Sequence, residues 1–94
     1  MSDKKYKSEL IISSAQLRAA RALLRWSALD LAKSSRVGVA TIRRVEVMDG
    51  PIPVTAANER ALRGALEAAG VEFIDENGGG PGVRLRKPHQ TSRK

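Results

Sequence analysis

Cysteine is absent from the 94 residues of this chain, and histidine occurs once, as His89 beside Pro88. Disulfides and thiolate metal sites are therefore excluded, and a single imidazole in a polar stretch cannot assemble a metal site within one chain. Aromatic residues are nearly as scarce, with one Trp, one Tyr and one Phe, so the core must be built from Ala, Leu, Val and Ile and is expected to be small. No run approaches the roughly 18 consecutive apolar residues of a membrane span, and the opening MSDKKYKSEL carries charges where a signal peptide would be apolar. The expectation is a soluble, cytoplasmic protein with no membrane partner. None of the Asp, Glu, Ser or His positions forms a recognisable set of acid, base and nucleophile, so no catalytic residue, metal ligand or cofactor is expected.

Positive charge is what the chain has in excess. Seventeen Lys and Arg face ten Asp and Glu, a formal net charge of +7. Nucleic acid, a membrane surface or an acidic protein would each suit that balance. The excess is not uniform: residues 10–50 carry +4 and residues 83–94 carry +5, whereas residues 71–82 carry −3. A length of 94 residues fits one domain with ragged ends.

Periodicity predicts the elements. Residues 1–13 read as a flexible arm, polar and lysine-rich until Leu10, Ile11 and Ile12 provide an anchor. Ser14 then caps a helix whose buried stripe is Leu17, Ala20 and Leu24, with Arg18 and Arg25 away from it. Ser27 and Asp30 are spaced as a capping box for a second helix with Ala28, Leu29, Leu31 and Ala32 as its apolar surface, ending near Lys33 or Ser34. After a bend over residues 35–38, a third helix runs from Val39 to Val47. Ile42 and Val45 face one way, and Ala40, Arg43, Arg44 and Val47 the other. Gly50, Pro51 and Pro53 make residues 49–54 a connector. Thr55 caps a fourth helix to about Ala69, with Leu62, Leu66 and Ala69 buried and Gly64 the expected place for a close approach by a neighbour.

Beyond Gly70 the period changes to two. Strands over 71–74 and 83–86, joined by the turn-forming residues 75–82, predict an antiparallel hairpin within residues 71–87, and residues 88–94 read as a disordered basic tail. The glycines at 78–80 and 82 invite comparison with a phosphate loop, but no Lys-Ser or Lys-Thr follows and the loop leads into a strand, which favours a flexible turn. Trp26 between the first two helices is expected in the core rather than on a stacking platform.

The run WSALDLAKSSRVGVATIRRVEVMDG, through Leu31, Ala32, Val37, Thr41, Ile42, Val45 and Glu46, resembles the phage-repressor and Cro type of helix-turn-helix, also called the xenobiotic-response-element type. With the first and fourth helices the resemblance covers residues 14–70. It implies a mainly α fold, a four-helix helix-turn-helix DNA-binding domain with the C-terminal β-hairpin appended. It further implies that the helix from Val39 to Val47 enters the major groove. The resemblance places base reading on Val39, Ala40 and Arg44, with Thr41 and Arg43 near phosphate or groove edges. Arg44 is the main specificity candidate, because a guanidinium can donate two bonds to guanine O6 and N7. Arg21 and Glu46 fall on positions that form a structural salt bridge in that family. Three positions depart from the pattern: Ala28 where a phosphate-binding glutamine is common, Arg36 where a turn glycine is usual, and Gly38 where Ser or Thr caps the third helix. Arg36 at positive φ would cost roughly 1 kcal/mol, which a phosphate contact could offset.

The hairpin is marginal alone, so Val71, Phe73, Val83 and Leu85 need covering. A homodimer through these residues would set two reading helices about 34 Å apart on a pseudo-palindromic operator; the alternative is a hairpin folded back on its own helices. Arg84, Arg86, Lys87, Arg93 and Lys94 are either further phosphate contacts or a solvated tail. The function so implied is a bacterial or phage-type transcriptional regulator of double-stranded DNA, a repressor or autoregulator. The rival is an antitoxin-like or antiactivator-like module that grips a protein partner with the same fold.

Overall fold

Small oxygen-bearing side chains set the start of three of the four helices. In the computed structural model, which describes residues 11–86, these helices are α1 (Ser14–Leu24), α2 (Ala28–Ser35), α3 (Val39–Glu46) and α4 (Ala56–Ala68). Ser13 caps α1, with its Oγ accepting from the Gln16 backbone amide and the Gln16 side-chain Oε1 accepting from the Ser13 backbone amide. The expected cap, Ser14, is thus one residue too late. It is fully buried instead, and its hydroxyl donates to the Val45 carbonyl at 2.6 Å. Ser27 and Asp30 form the predicted capping box on α2, and Thr55 caps α4 through the Asn58 amide. Helix α3 starts at Gly38 with no side-chain cap.

The apolar stripes meet in one core. Leu17 and Ala20 of α1, Leu31 of α2, Ile42 and Val45 of α3, and Leu62 and Leu66 of α4 have no exposed surface. Full burial of one such Leu, Ile or Val contributes on the order of 1.5–3 kcal/mol. Trp26 packs partly buried against it, as expected. Leu29 does not: it is 48% exposed, because the short α2 turns Ala28 and Leu31 inward and leaves Leu29 on its outer side. Gly64 is not a close-approach site either, since a Cβ built there meets nothing within 4 Å.

The connector does more than join α3 to α4. Ile52 enters the core and its amide donates to the Ile12 carbonyl, while the Ser14 amide donates to Gly50 O. Ile12 is buried and its own amide donates to Glu59 Oε2. Residues 12 and 13 are therefore part of the domain rather than of an arm. The rest of the expected arm, to residue 10, and the tail from Lys87 through Arg93 and Lys94 lie outside the described residues.

Strands β1 (Val71–Ile74) and β2 (Gly82–Leu85) pair antiparallel, with Val71 opposite Leu85 and Phe73 opposite Val83. The second strand begins and ends one residue earlier than predicted. Val71 is fully buried, and Phe73 and Val83 pack on the core from the edge. The chain thus covers Val71, Phe73 and Val83 with its own helices, the fold-back arrangement of the two that the sequence left open. Only Leu85 of the four stays largely outside, 47% exposed. Gln16 fastens the hairpin to α1, its side-chain amide donating to Ile74 O and Gly82 O at 3.2 and 2.9 Å. The Arg63 guanidinium lies 5.7 Å from the Phe73 ring centroid, a cation–π distance. Among the described residues no helix is long and apolar enough to cross a membrane.

Candidate nucleic-acid interface

The turn between α2 and α3 is built on a left-handed residue. Arg36 adopts φ 65, ψ 21, which lets its amide close α2 on Ala32 O at 2.8 Å. The Ser35 hydroxyl accepts from the Val37 amide, and the Val37 side chain plugs into the core. Together these fix the direction in which α3 departs. Because Ile42 and Val45 are pinned inward, helical geometry turns Ala40, Arg43, Arg44 and Val47 outward. Arg36, Arg43 and Arg44 are all exposed, and none has an ion-pair partner among the described residues. Three guanidiniums thus share the turn and the outer face of α3 with no ion pair among the described residues.

The remaining candidates are less available. Val39 and Thr41 are half-buried, and Val39 packs against the core, so at most part of each side chain faces out. Ala28 is buried among the core residues; its methyl offers no donor, so a side-chain contact from this position to a ligand is not available.

Arg21 and Glu46 lie behind this face and are joined at both oxygens. Arg21 Nε reaches Glu46 Oε2 and Nη2 reaches Oε1, each at 2.7 Å, while Nη1 donates to Trp26 O at 2.8 Å. The hydrogen bond to Glu46 raises the Arg21 pKa further above its ordinary value, outweighing the opposite effect of desolvation. A bidentate pair of this kind fixes orientation as well as charge, so the last turn of α3 is tied to the last turn of α1. Arg18 adds a second tie, donating from Nη1 to the backbone carbonyl of Glu46.

Sequence reasoning put Arg18 off the buried face and gave it no task. The signal was present: Arg18 and Arg21 are three apart and share a helix face, and the unsatisfied carbonyls at the end of α3 attract cations. Arg25 was also missed, as the left-handed residue (φ 59) that closes α1 before Trp26. A long arginine carries no local hint of that conformation. Arg84 pairs with Glu72 across the hairpin at 2.8 Å and Arg86 donates to Glu67 O, so both have partners within the chain. Among the described residues no group of His, Asp and Glu could hold a metal. No family model matches the chain, and no curated protein matches it.

Proposed function

We propose that this chain is a sequence-specific DNA-binding transcriptional regulator, a repressor or autoregulator, in which α2 and α3 are the helix-turn-helix pair and α3 is the reading helix. The observation that carries the reading is the outer face of α3, where exposed Arg43 and Arg44 flank Ala40 on a helix held rigidly from behind by Arg21 and Glu46. Eight helical residues are about 12 Å long, a length that suits a major groove of about 12 Å. In this reading Arg44 donates to guanine O6 and N7, Ala40 and the exposed edge of Val39 touch thymine methyls, and Arg36 and Arg43 meet phosphates. A homodimer on a pseudo-palindromic operator would use what the hairpin leaves uncovered, Leu85 and a sheet edge with no further strand among the described residues.

Selection from a pool of random duplexes at moderate salt tests this reading, with Arg44→Ala run beside the parent. An enriched site with two inverted half-sites about 10 base pairs apart is expected. Arg44→Ala should lose about 1–3 kcal/mol of discrimination at one position in each half-site. Equal losses on operator and random DNA would reject Arg44 as the base reader.

One observation favours a protein partner instead. Val47 is 82% exposed and Met48 41% exposed at the end of α3, an apolar tip beside the cationic face that an antitoxin-like or antiactivator-like contact could use. A pool that binds no duplex even at low salt would transfer the proposal to that reading.

A further inference from the structure

The glycine-rich turn between β1 and β2 holds one of the two asparagines of the chain, Asn77, directly before Gly78. Asparagine is a thermolabile residue, because the backbone nitrogen that follows it can attack its side-chain amide and close a five-membered ring. A glycine at the following position leaves that nitrogen unshielded and lets the backbone rotate toward the amide. The other asparagine, Asn58, lies in the first turn of α4 before Glu59, whose amide is committed to Thr55 O at 2.9 Å.

The turn arranges both reacting groups. The Gly78 amide donates to Glu76 Oε2 at 3.1 Å, so the nitrogen that must lose a proton already directs it at a carboxylate. The Gly79 amide donates to Asn77 Oδ1 at 3.4 Å, on the oxygen where negative charge develops when Cγ is attacked. The Glu76 carboxylate also accepts from the Gly80 amide at 3.2 Å, which holds it across the turn. Glu76, Asn77, Gly78 and Gly79 are exposed, so water reaches the site.

We propose that Asn77 is a self-modification site that deamidates through attack by the Gly78 nitrogen, with Glu76 as the proton acceptor. The Gly78 nitrogen gives its proton to the Glu76 carboxylate and bonds to Asn77 Cγ, the Cγ–Nδ2 bond breaks, and ammonia leaves with that proton. Water then opens the resulting succinimide at either carbonyl, leaving aspartate or an isoaspartate whose main chain runs through the former side chain. One water is consumed, one ammonia is released, and nothing is oxidised or reduced. The event lowers the net charge by one from +7. Gln16 holds the base of the turn at Ile74 O and Gly82 O, so the change stays within residues 75–81 and leaves the helices in place. The site is separate from the outer face of α3 and does not depend on the DNA reading.

The test is incubation of the full chain at neutral and mildly alkaline pH, followed by intact mass and by isoaspartyl methyltransferase labelling of the tryptic peptide spanning residues 64–84. A gain of about 1 Da per chain is expected, confined to that peptide, with the label on it and one solvent oxygen taken up from heavy-oxygen water. Asp49 before Gly50 can form the same ring, but it loses and regains water without a mass change. It lies in the peptide spanning residues 45–60, which also holds Asn58 and should keep its mass. Asn77→Gln should abolish the gain, and Gly78→Ala should slow it at least about fivefold. Glu76→Gln should slow the reaction at neutral pH about three- to tenfold and steepen its pH dependence toward about tenfold per pH unit, that of a reaction relying on hydroxide. A chain that keeps its mass, a gain on residues 45–60 instead, or a Glu76→Gln variant that reacts as the parent does would each overturn the proposal. So would a free peptide of residues 64–84 that reacts faster than the intact chain, because the folded turn would then protect Asn77 rather than activate it.

Discussion

At Arg36 the chain keeps a long cationic side chain in a backbone conformation that glycine adopts freely. A left-handed L-residue costs about 1–2 kcal/mol, and replacement by glycine regains part of that while adding unfolded-state entropy. Arg36→Gly is therefore expected to raise unfolding stability by about 0.5–1 kcal/mol. If the guanidinium meets phosphate, the same variant should bind all duplexes more weakly and lower the salt slope by about one. Greater stability with unchanged DNA binding would remove Arg36 from the proposed interface. Glu46 poses the opposite case, a carboxylate only 8% exposed at its side chain and satisfied by Arg21. Glu46→Ala strands a partly buried guanidinium and should cost about 2–4 kcal/mol. In a double-mutant cycle with Arg21→Ala the two losses should fall short of additivity by at least about 0.5 kcal/mol; additive losses would mean that the two side chains act independently.

Among the elements, the start of α2 was the most legible because its signal is local, whereas its end, at Ser35 rather than Lys33 or Ser34, is set by Arg36 in the left-handed conformation. The Ser27 and Asp30 spacing needs no tertiary partner, and the structure forms that box. The Asp30 carboxylate is held below its ordinary pKa, first by the Ser27 backbone amide and then by the Ser27 hydroxyl. Its contribution to stability is therefore complete above the unfolded value, near 3.8, and fades as pH falls through the lower folded value. A carboxyl-detected NMR titration should place Asp30 below 3.8, and Ser27→Ala should move it only part of the way back, since the amide remains. No movement would exclude the hydroxyl as a cause. At α1 two adjacent serines made the local signal ambiguous, and what separates them is long-range: Ser14 is held by Val45 O, 31 residues away. The exposure of Leu29 and the pairing of Ile12 with Ile52 likewise depend on how elements meet. The candidate face of α3 was readable from period alone, because Ile42 and Val45 fix which side turns out, whereas the half-burial of Val39 is set by packing.

For the whole molecule, the decisive question is whether the hairpin is an appendage or part of the cooperative unit. Two four-residue strands could not persist alone in water, yet Val71 is fully buried among helix side chains and Gln16 bonds to both strands. Those contacts join residues distant in sequence, so the hairpin should unfold with the helices rather than before them. Trp26, the only tryptophan, lies between α1 and α2, outside the hairpin, and its fluorescence reports on the helical part independently. Val71→Ala is expected to lower stability by about 1.5–3 kcal/mol, by lost burial and the cavity left behind. The urea midpoint followed by Trp26 fluorescence should fall in step with that followed by far-UV circular dichroism. If the Trp26 midpoint stayed at the parent value while the amides of β1 exchanged faster, the hairpin would be a separate, weaker unit. The distinction bears on assembly: among the described residues, strands committed to their own core leave Leu85 as the largely exposed apolar side chain for a second copy. A dimer built there would therefore form between folded domains, and its dissociation should leave each domain intact.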